Sequence, residues 1–152
     1  MKRLTGVLLV LVMVFSLSAA LAQRVECPQG GFSVKLPDHF KESSGSYGAD
    51  LCFFWHGKKL NVQGYASYQG EVSNSDLLQV LTGDETESGT VTINGMSMLY
   101  TRTEDGDDVI ISYTWMDRGN EVTLEFTYAA EDTSVQNTVN SIINSIRFDA
   151  GH

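Results

Sequence analysis

The hydrophobic positions of this chain follow three different patterns, and each predicts a different kind of segment. From Val7 to Phe15 the chain is almost unbrokenly apolar, behind a basic start at Lys2 and Arg3 and ahead of Ala20-Leu21-Ala22. A short apolar stretch between a cationic start and small residues three and one before a cut is the pattern of a secretory signal peptide, cleaved ahead of Gln23. The rival reading, an uncleaved membrane anchor over Leu4 to Leu21, is weakened by Gly6, Ser16 and Ser18. Lipid attachment would need cysteine directly after the cut, and the first cysteine, Cys27, stands inside Gln23-Arg24-Val25-Glu26-Cys27. No later segment is apolar enough to cross a membrane as a helix.

From Phe32 onward the pattern is mostly period two, the signature of strands with one buried face. Phe32, Val34 and Leu36 alternate with Ser33 and Lys35, and Pro37 ends the run. Leu51, Phe53 and Trp55 form a second run and Leu60, Val62, Gly64 and Ala66 a third, with Gly57-Lys58-Lys59 as the hairpin loop between them. Leu77, Leu78 and Leu81 behind the N-cap candidates Ser73, Asn74 and Ser75 predict a helix over 75–81, with Asp76 at the positive end of its dipole. Three long strand regions follow: Thr86 to Thr103 with a break at Asn94-Gly95, Val109 to Met116, and Glu121 to Ala129. Glu104-Asp105-Gly106-Asp107-Asp108 and Asp117-Arg118-Gly119-Asn120 carry the residues of tight turns.

The pattern then changes to that of a helix. Val135, Val139, Ile142, Ile143 and Ile146 make one apolar stripe, with Thr133 and Gln136 spaced to form a capping box. Such a stripe must lie on something apolar, and the sheet is the large apolar surface available. Hairpin-linked strands with covering helices make an α+β class: an antiparallel sheet of about six strands sandwiched or covered by helices.

Three stretches resemble the PsbP-like family: Gly31-Phe32-Ser33-Val34-Lys35-Leu36-Pro37-Asp38-His39-Phe40, Val91-Thr92-Ile93-Asn94-Gly95-Met96, and Val139-Asn140-Ser141-Ile142-Ile143-Asn144-Ser145-Ile146-Arg147-Phe148. That family shares its fold with the Ran-binding Mog proteins. The resemblance spans Phe32 to Phe148 and rests on structural motifs. It implies an antiparallel sheet sandwiched between helices, and a non-enzymatic role in binding or assembly. No metal-binding or partner-binding motif of the family maps onto positions here. The organisation that follows is residues 1–22 as signal peptide, 23–31 as an N-terminal segment, 32–148 as one PsbP-like domain and 149–152 as a tail.

Composition narrows the function. Removing residues 1–22 from the 152 leaves 130, enough for one domain that buries about two thirds of its unfolded surface. Lys2 and Arg3 leave with the signal peptide, which takes the formal charge from −9 to −11. Phosphate backbones and anionic lipid surfaces repel such a chain, so nucleic acid and, after cleavage, membranes are set aside as partners. Acidic residues are spread along the sequence, and solubility accounts for them.

Cys27 and Cys52 both survive cleavage, and an even count in an exported chain predicts a disulfide. Two buried free thiols or a nucleophilic cysteine are the alternatives. Serine hydrolysis needs a base, and only His39, His56 and His152 are available, with no G-x-S-x-G elbow. Zinc would have to draw on Cys27, Cys52, His39 and His56, which lack the usual spacings. Glu104 to Asp108 gathers four carboxylates around Gly106, a calcium candidate without the order of an EF-hand loop, and a polar turn explains the same residues. The expectation is therefore no metal, no cofactor and no enzyme.

Aromatic residues are the remaining lead: Phe53, Phe54, Trp55, Tyr65, Tyr68, Tyr113, Trp115 and Tyr128. Most belong in a core, but any left uncovered would form a recognition surface. His56 and Tyr65 share the non-core phase of their strands and are the ligand-binding candidates. The partner expected is a protein or small ligand outside the cytoplasm; a self-associating structural module is the alternative, and an extracytoplasmic enzyme the third.

Overall fold

The structure is a computed structural model that describes residues 21–43, 48–70, 76 and 86–150. The signal peptide expected over 1–22 lies outside them up to residue 20. The helix expected over 75–81 also lies outside them, except for Asp76, which is helical.

Two antiparallel sheets carry the described residues. The larger has, in spatial order, β3 (Lys41–Glu42), β4 (Leu51–His56), β5 (Leu60–Tyr68), β9 (Asn120–Ala129), β8 (Asp108–Asp117), β7 (Met96–Asp105) and β6 (Thr86–Ile93). The smaller places β2 (Phe32–Pro37) between β1 (Leu21–Cys27) and β10 (Arg147–Phe148). A 3-10 turn, Thr133–Val135, leads into the helix α1, Gln136–Asn144. Strands β6 to β9 form a meander. Its turns at Asn94-Gly95 and Arg118-Gly119 have φ of 50° and 87°, and of 48° and 80°. Two successive left-handed residues are what a two-residue hairpin needs to match the twist of its strands.

Period two becomes burial. In β9, Val122, Leu124, Phe126 and Tyr128 are buried while the residues between them are half-buried. Phe126 lies beside Ile111 and Val62, and Leu124 beside Tyr113 and Gly64, so neighbouring strands add their apolar phase to the same face. Onto this face pack Val25, Cys27, Phe32, Val34 and Leu36 from the small sheet, and Val139, Ile142 and Ile143 from α1. The Phe32 and Phe148 rings stand edge-on to Trp115 at 5.1 and 5.8 Å, a favourable aromatic geometry. Cys27 and Cys52 are bridged, which ties the end of β1 to β4 and so one sheet to the other.

Several expectations change. Among the described residues ten strands are present where about six were expected, one of them because the region from Thr86 divides into β6 and β7 at Asn94-Gly95. The added ones are β3 and β10, two residues each, and β1, whose only apolar alternation after Leu21 and Ala22 is Val25 and Cys27. Such strands are held by backbone pairing to a longer neighbour and leave little pattern of their own. A sandwich between helices is not supported: among the described residues one regular helix, α1, shares the core face of the large sheet with the small sheet. The capping box does not form. Val135 takes the N-cap position with no side-chain cap, Thr133 begins the 3-10 turn, and the Gln136 side chain instead meets the Tyr128 hydroxyl at 3.4 Å and Asn140 at 3.2 Å.

Candidate functional site

Strand alternation gives the large sheet a second, polar face. The register aligns Gln63, Glu125 and Ser112 in one row and Tyr65, Thr123 and Thr114 in the next. Side chains two residues apart on one strand, or directly opposite on adjacent strands, are near enough to hydrogen-bond. Here they form a network. Tyr65 Oη donates to Gln63 Oε1 at 2.5 Å, Gln63 Nε2 to Glu125 Oε1 at 3.3 Å, and Ser112 Oγ to Glu125 Oε2 at 3.5 Å. The Thr114 and Thr123 hydroxyls are 3.0 Å apart. Burial raises the Glu125 carboxyl above its ordinary range, against the opposing hydrogen bond from Ser112. Burial, and then the negative charge of Glu125, raise the Tyr65 phenol.

His56 and Tyr65, the residues singled out from the sequence, share this face without touching. His56 is exposed at the end of β4, its Nδ1 2.9 Å from Asn61 Oδ1 and its ring 4.3 Å from that of Phe54. Tyr65 pairs with Leu51 and Thr123, on the far side of the Phe54–Gln63 row. His39 is elsewhere, against Phe40, in a small cleft of about 220 Å³ walled by Lys58, Lys59 and Val135. The expected aromatic surface is reduced, among the described residues, to Tyr68 as the one exposed large hydrophobic side chain.

The acidic stretch at 104–108 closes the β7–β8 hairpin, with Gly106 at φ 60° and Glu104 turned back onto Arg102 at 2.8 Å. Among the described residues no group of three or more His, Cys, Asp or Glu is placed to hold a metal ion, and no helix is long and apolar enough to cross a membrane.

A concavity that the sequence reading did not anticipate lies on the opposite side of the molecule's small sheet, at the end of α1. It has about 650 Å³ and is lined by Arg24, Lys35 and Arg147 together with Asn94, Ser141, Asn144, Ser145 and Ile146. Arg24 pairs with Lys35 across β1 and β2, and Arg147 with Ser33 across β10 and β2. Three features hold its walls. Arg24 Nη1 donates to Ser33 Oγ at 2.7 Å, the Lys35 amide donates to Ser145 Oγ at 2.8 Å, and Asn94 Nδ2 donates to the carbonyl of Ile146 at 2.8 Å. The signal for it was the polar phase of β2, Ser33 and Lys35, which needed partners from both ends of the chain to become a site.

No family model and no curated protein matches the chain by sequence. Solved structures do match by shape. The solution structure of cyanobacterial PsbP (CyanoP) from Synechocystis sp. PCC 6803 aligns with a TM-score of 0.61 at 10% identity, over 85% of this chain and 93% of that one. The Ran-binding protein Mog1p of Saccharomyces cerevisiae aligns at 0.55 and 10% identity, over 84% of this chain and 96% of that one. A crystal structure from Bacteroides thetaiotaomicron VPI-5482 aligns at 0.63 and 14% identity over 86% of this chain, which spans 50% of the length of that protein. The chain therefore has the PsbP-like fold, the fold also of Mog1p.

Proposed function

We propose that the chain is an exported, non-catalytic accessory module that acts by binding a protein partner. The observation that carries this reading is the likeness, over nearly the whole of both chains, to a protein described as Ran-binding. The Cys27–Cys52 bridge supports an oxidising compartment, in line with the apolar start of the sequence. Recognition is assigned to the polar face of the large sheet, at His56 and Tyr65. Both are held by hydrogen bonds to their own strand or its neighbour, so little ordering is left to be lost on binding.

The test uses residues 23–152 as bait on the envelope and medium of the producing cells, beside His56→Ala and Tyr65→Ala baits. One protein retained by the wild-type bait, lost with the variants and re-forming a complex from purified components supports the reading. Equal capture by all three baits removes recognition from this face. The second reading, a self-associating module, is favoured by β6: it ends the sheet as a strand of eight residues whose charge is limited to Glu87. Bait recovered alone, at twice the monomer mass in sizing, selects it.

A further inference from the structure

We infer that the cleft between the small sheet and the end of α1 binds a small polar molecule through a dianionic group, a phosphate ester or a pair of carboxylates. The inference concerns a different surface from the one assigned to the protein partner and stands whether or not that partner exists.

The first argument is how this chain treats its cations. Residues 23–152 hold eight Lys and Arg against nineteen Asp and Glu. Lys59, Arg102 and Arg118 are each ion-paired, with Asp132, Glu104 and Asp117. Arg24, Lys35 and Arg147 are in no ion pair among the described residues, although acidic side chains are in excess, and all three line one cleft. Lys41 and Lys58 likewise form no ion pair among the described residues, so what sets Arg24, Lys35 and Arg147 apart is that strand pairing gathers them in one cleft that no acidic side chain lines.

The local balance sets the ligand's charge. Glu26 lies across the sheet from Ser33 and acts on Arg24, but the charged side chains that line the cleft itself are the three cations. Arg147 acts on Arg24 in the opposite sense, so the cluster repels itself when empty. The negative end of α1 is the competing explanation for cations here. A helix end carries only about half a charge, and its last carbonyls already accept from Asn94 and from the Ser145 hydroxyl. That end does not neutralise the cluster.

The shape sets the rest. The cleft is open and shallow, and its volume of about 650 Å³ is far more than a bare phosphate fills. Asn94, Ser141 and Asn144 line it with neutral hydrogen-bonding groups, and the Ile146 carbonyl, which accepts from Asn94, completes the wall. A polar body of the size of a sugar, bearing the dianion at the Arg24–Lys35–Arg147 end, suits that lining.

Nitrogen-15 NMR titration of residues 23–152 with inorganic phosphate, a hexose phosphate and succinate, at constant low ionic strength held with sodium chloride, tests it. The expected result is saturable shifts at the amides of Arg24, Lys35, Ser145 and Arg147, tighter for hexose phosphate than for inorganic phosphate if the ester is the ligand, or strongest for succinate if carboxylates are. Arg147→Gln is expected to weaken the best probe by about tenfold, the loss of one charge-assisted contact. Arg147 is exposed, so the same variant is expected to keep the amide spectrum of the free chain away from the cleft. Shifts that do not saturate, that fall equally on Lys41 and Lys58, or that survive Arg147→Gln overturn the inference, and the partner capture described above is unaffected by that outcome.

Discussion

At the scale of single residues, two positions show how strictly the sheet constrains its side chains. Gly64 lies opposite Phe53, whose ring covers it: a Cβ built there would come within 2.5 Å of the ring. Phe53 is itself buried and has no room to turn away, so Gly64→Ala is expected to destabilise the fold by about 1–3 kcal/mol, read as a lower urea midpoint. Glu125 is the opposite case, a residue that costs stability where it stands. Its folded-state carboxyl is raised by burial, so the native state takes up a proton before the unfolded chain does as pH falls. Stability from this group is therefore lowest at neutral pH and is regained on acidification through its raised folded-state value. Glu125→Gln should accordingly be more stable than wild type at pH 7 and equal to it near pH 4, in paired urea titrations. A difference that does not change with pH would mean that the substitution acts through the Gln63 and Ser112 contacts rather than through charge.

At the scale of elements, the end of α1 is fixed to the second strand across 110 residues of sequence by one side-chain hydroxyl, next to the backbone pairing of β10 with β2. Ser145 Oγ accepts from the Lys35 amide. Ser145→Ala leaves that amide without its partner, at a cost of about 1–2 kcal/mol, and hydrogen exchange at Lys35 should accelerate more than at its neighbour Val34. Exchange that speeds up equally along β2 would instead mean that the helix had undocked. This contact also marks the boundary of what the sequence makes legible. The long strands and the α1 stripe were readable because each buries a face of its own, and alternation or helical period records that burial residue by residue: Val122 to Tyr128 and Val139 to Ile143 are the clearest cases. The two-residue strands β3 and β10, the first exposed and the second with only Phe148 against the core, are too short to show a pattern and exist because a longer strand offers them hydrogen bonds. The helix start was misread for a related reason. Thr133 and Gln136 have the spacing of a cap, but a preceding 3-10 turn displaced the N-cap to Val135. The shared face of His56 and Tyr65 followed from strand phase alone. The cationic cleft did not, because Arg24, Lys35 and Arg147 lie on three strands from distant parts of the chain, and sequence order says nothing of how strands pair across that distance.

At the scale of the molecule, two sheets share one core and a single covalent link between them. Residues 23–152 carry a formal net charge of −11, and self-repulsion of that kind favours expanded states. The Cys27–Cys52 bridge opposes expansion directly: it closes a loop with a sequence separation of 25, and the chain-entropy model assigns such a loop about 3–4 kcal/mol. The docked sheets have other ties besides it, the pairing of β1 with β2 and the Phe32 ring against Trp115. Cys27→Ala with Cys52→Ala is therefore expected to fold, with an unfolding free energy lower by about 3 kcal/mol and a steeper dependence on urea, because the unlinked denatured chain exposes more surface. Wild type treated with reductant should follow the same curve as the double variant. If the loss in both is large but the urea slope is unchanged, the bridge acts on the native docking of β1 against β4 rather than on the unfolded chain, and the same measurement with the salt concentration raised separates the two: screening of the net negative charge restores stability only where expansion is the cause.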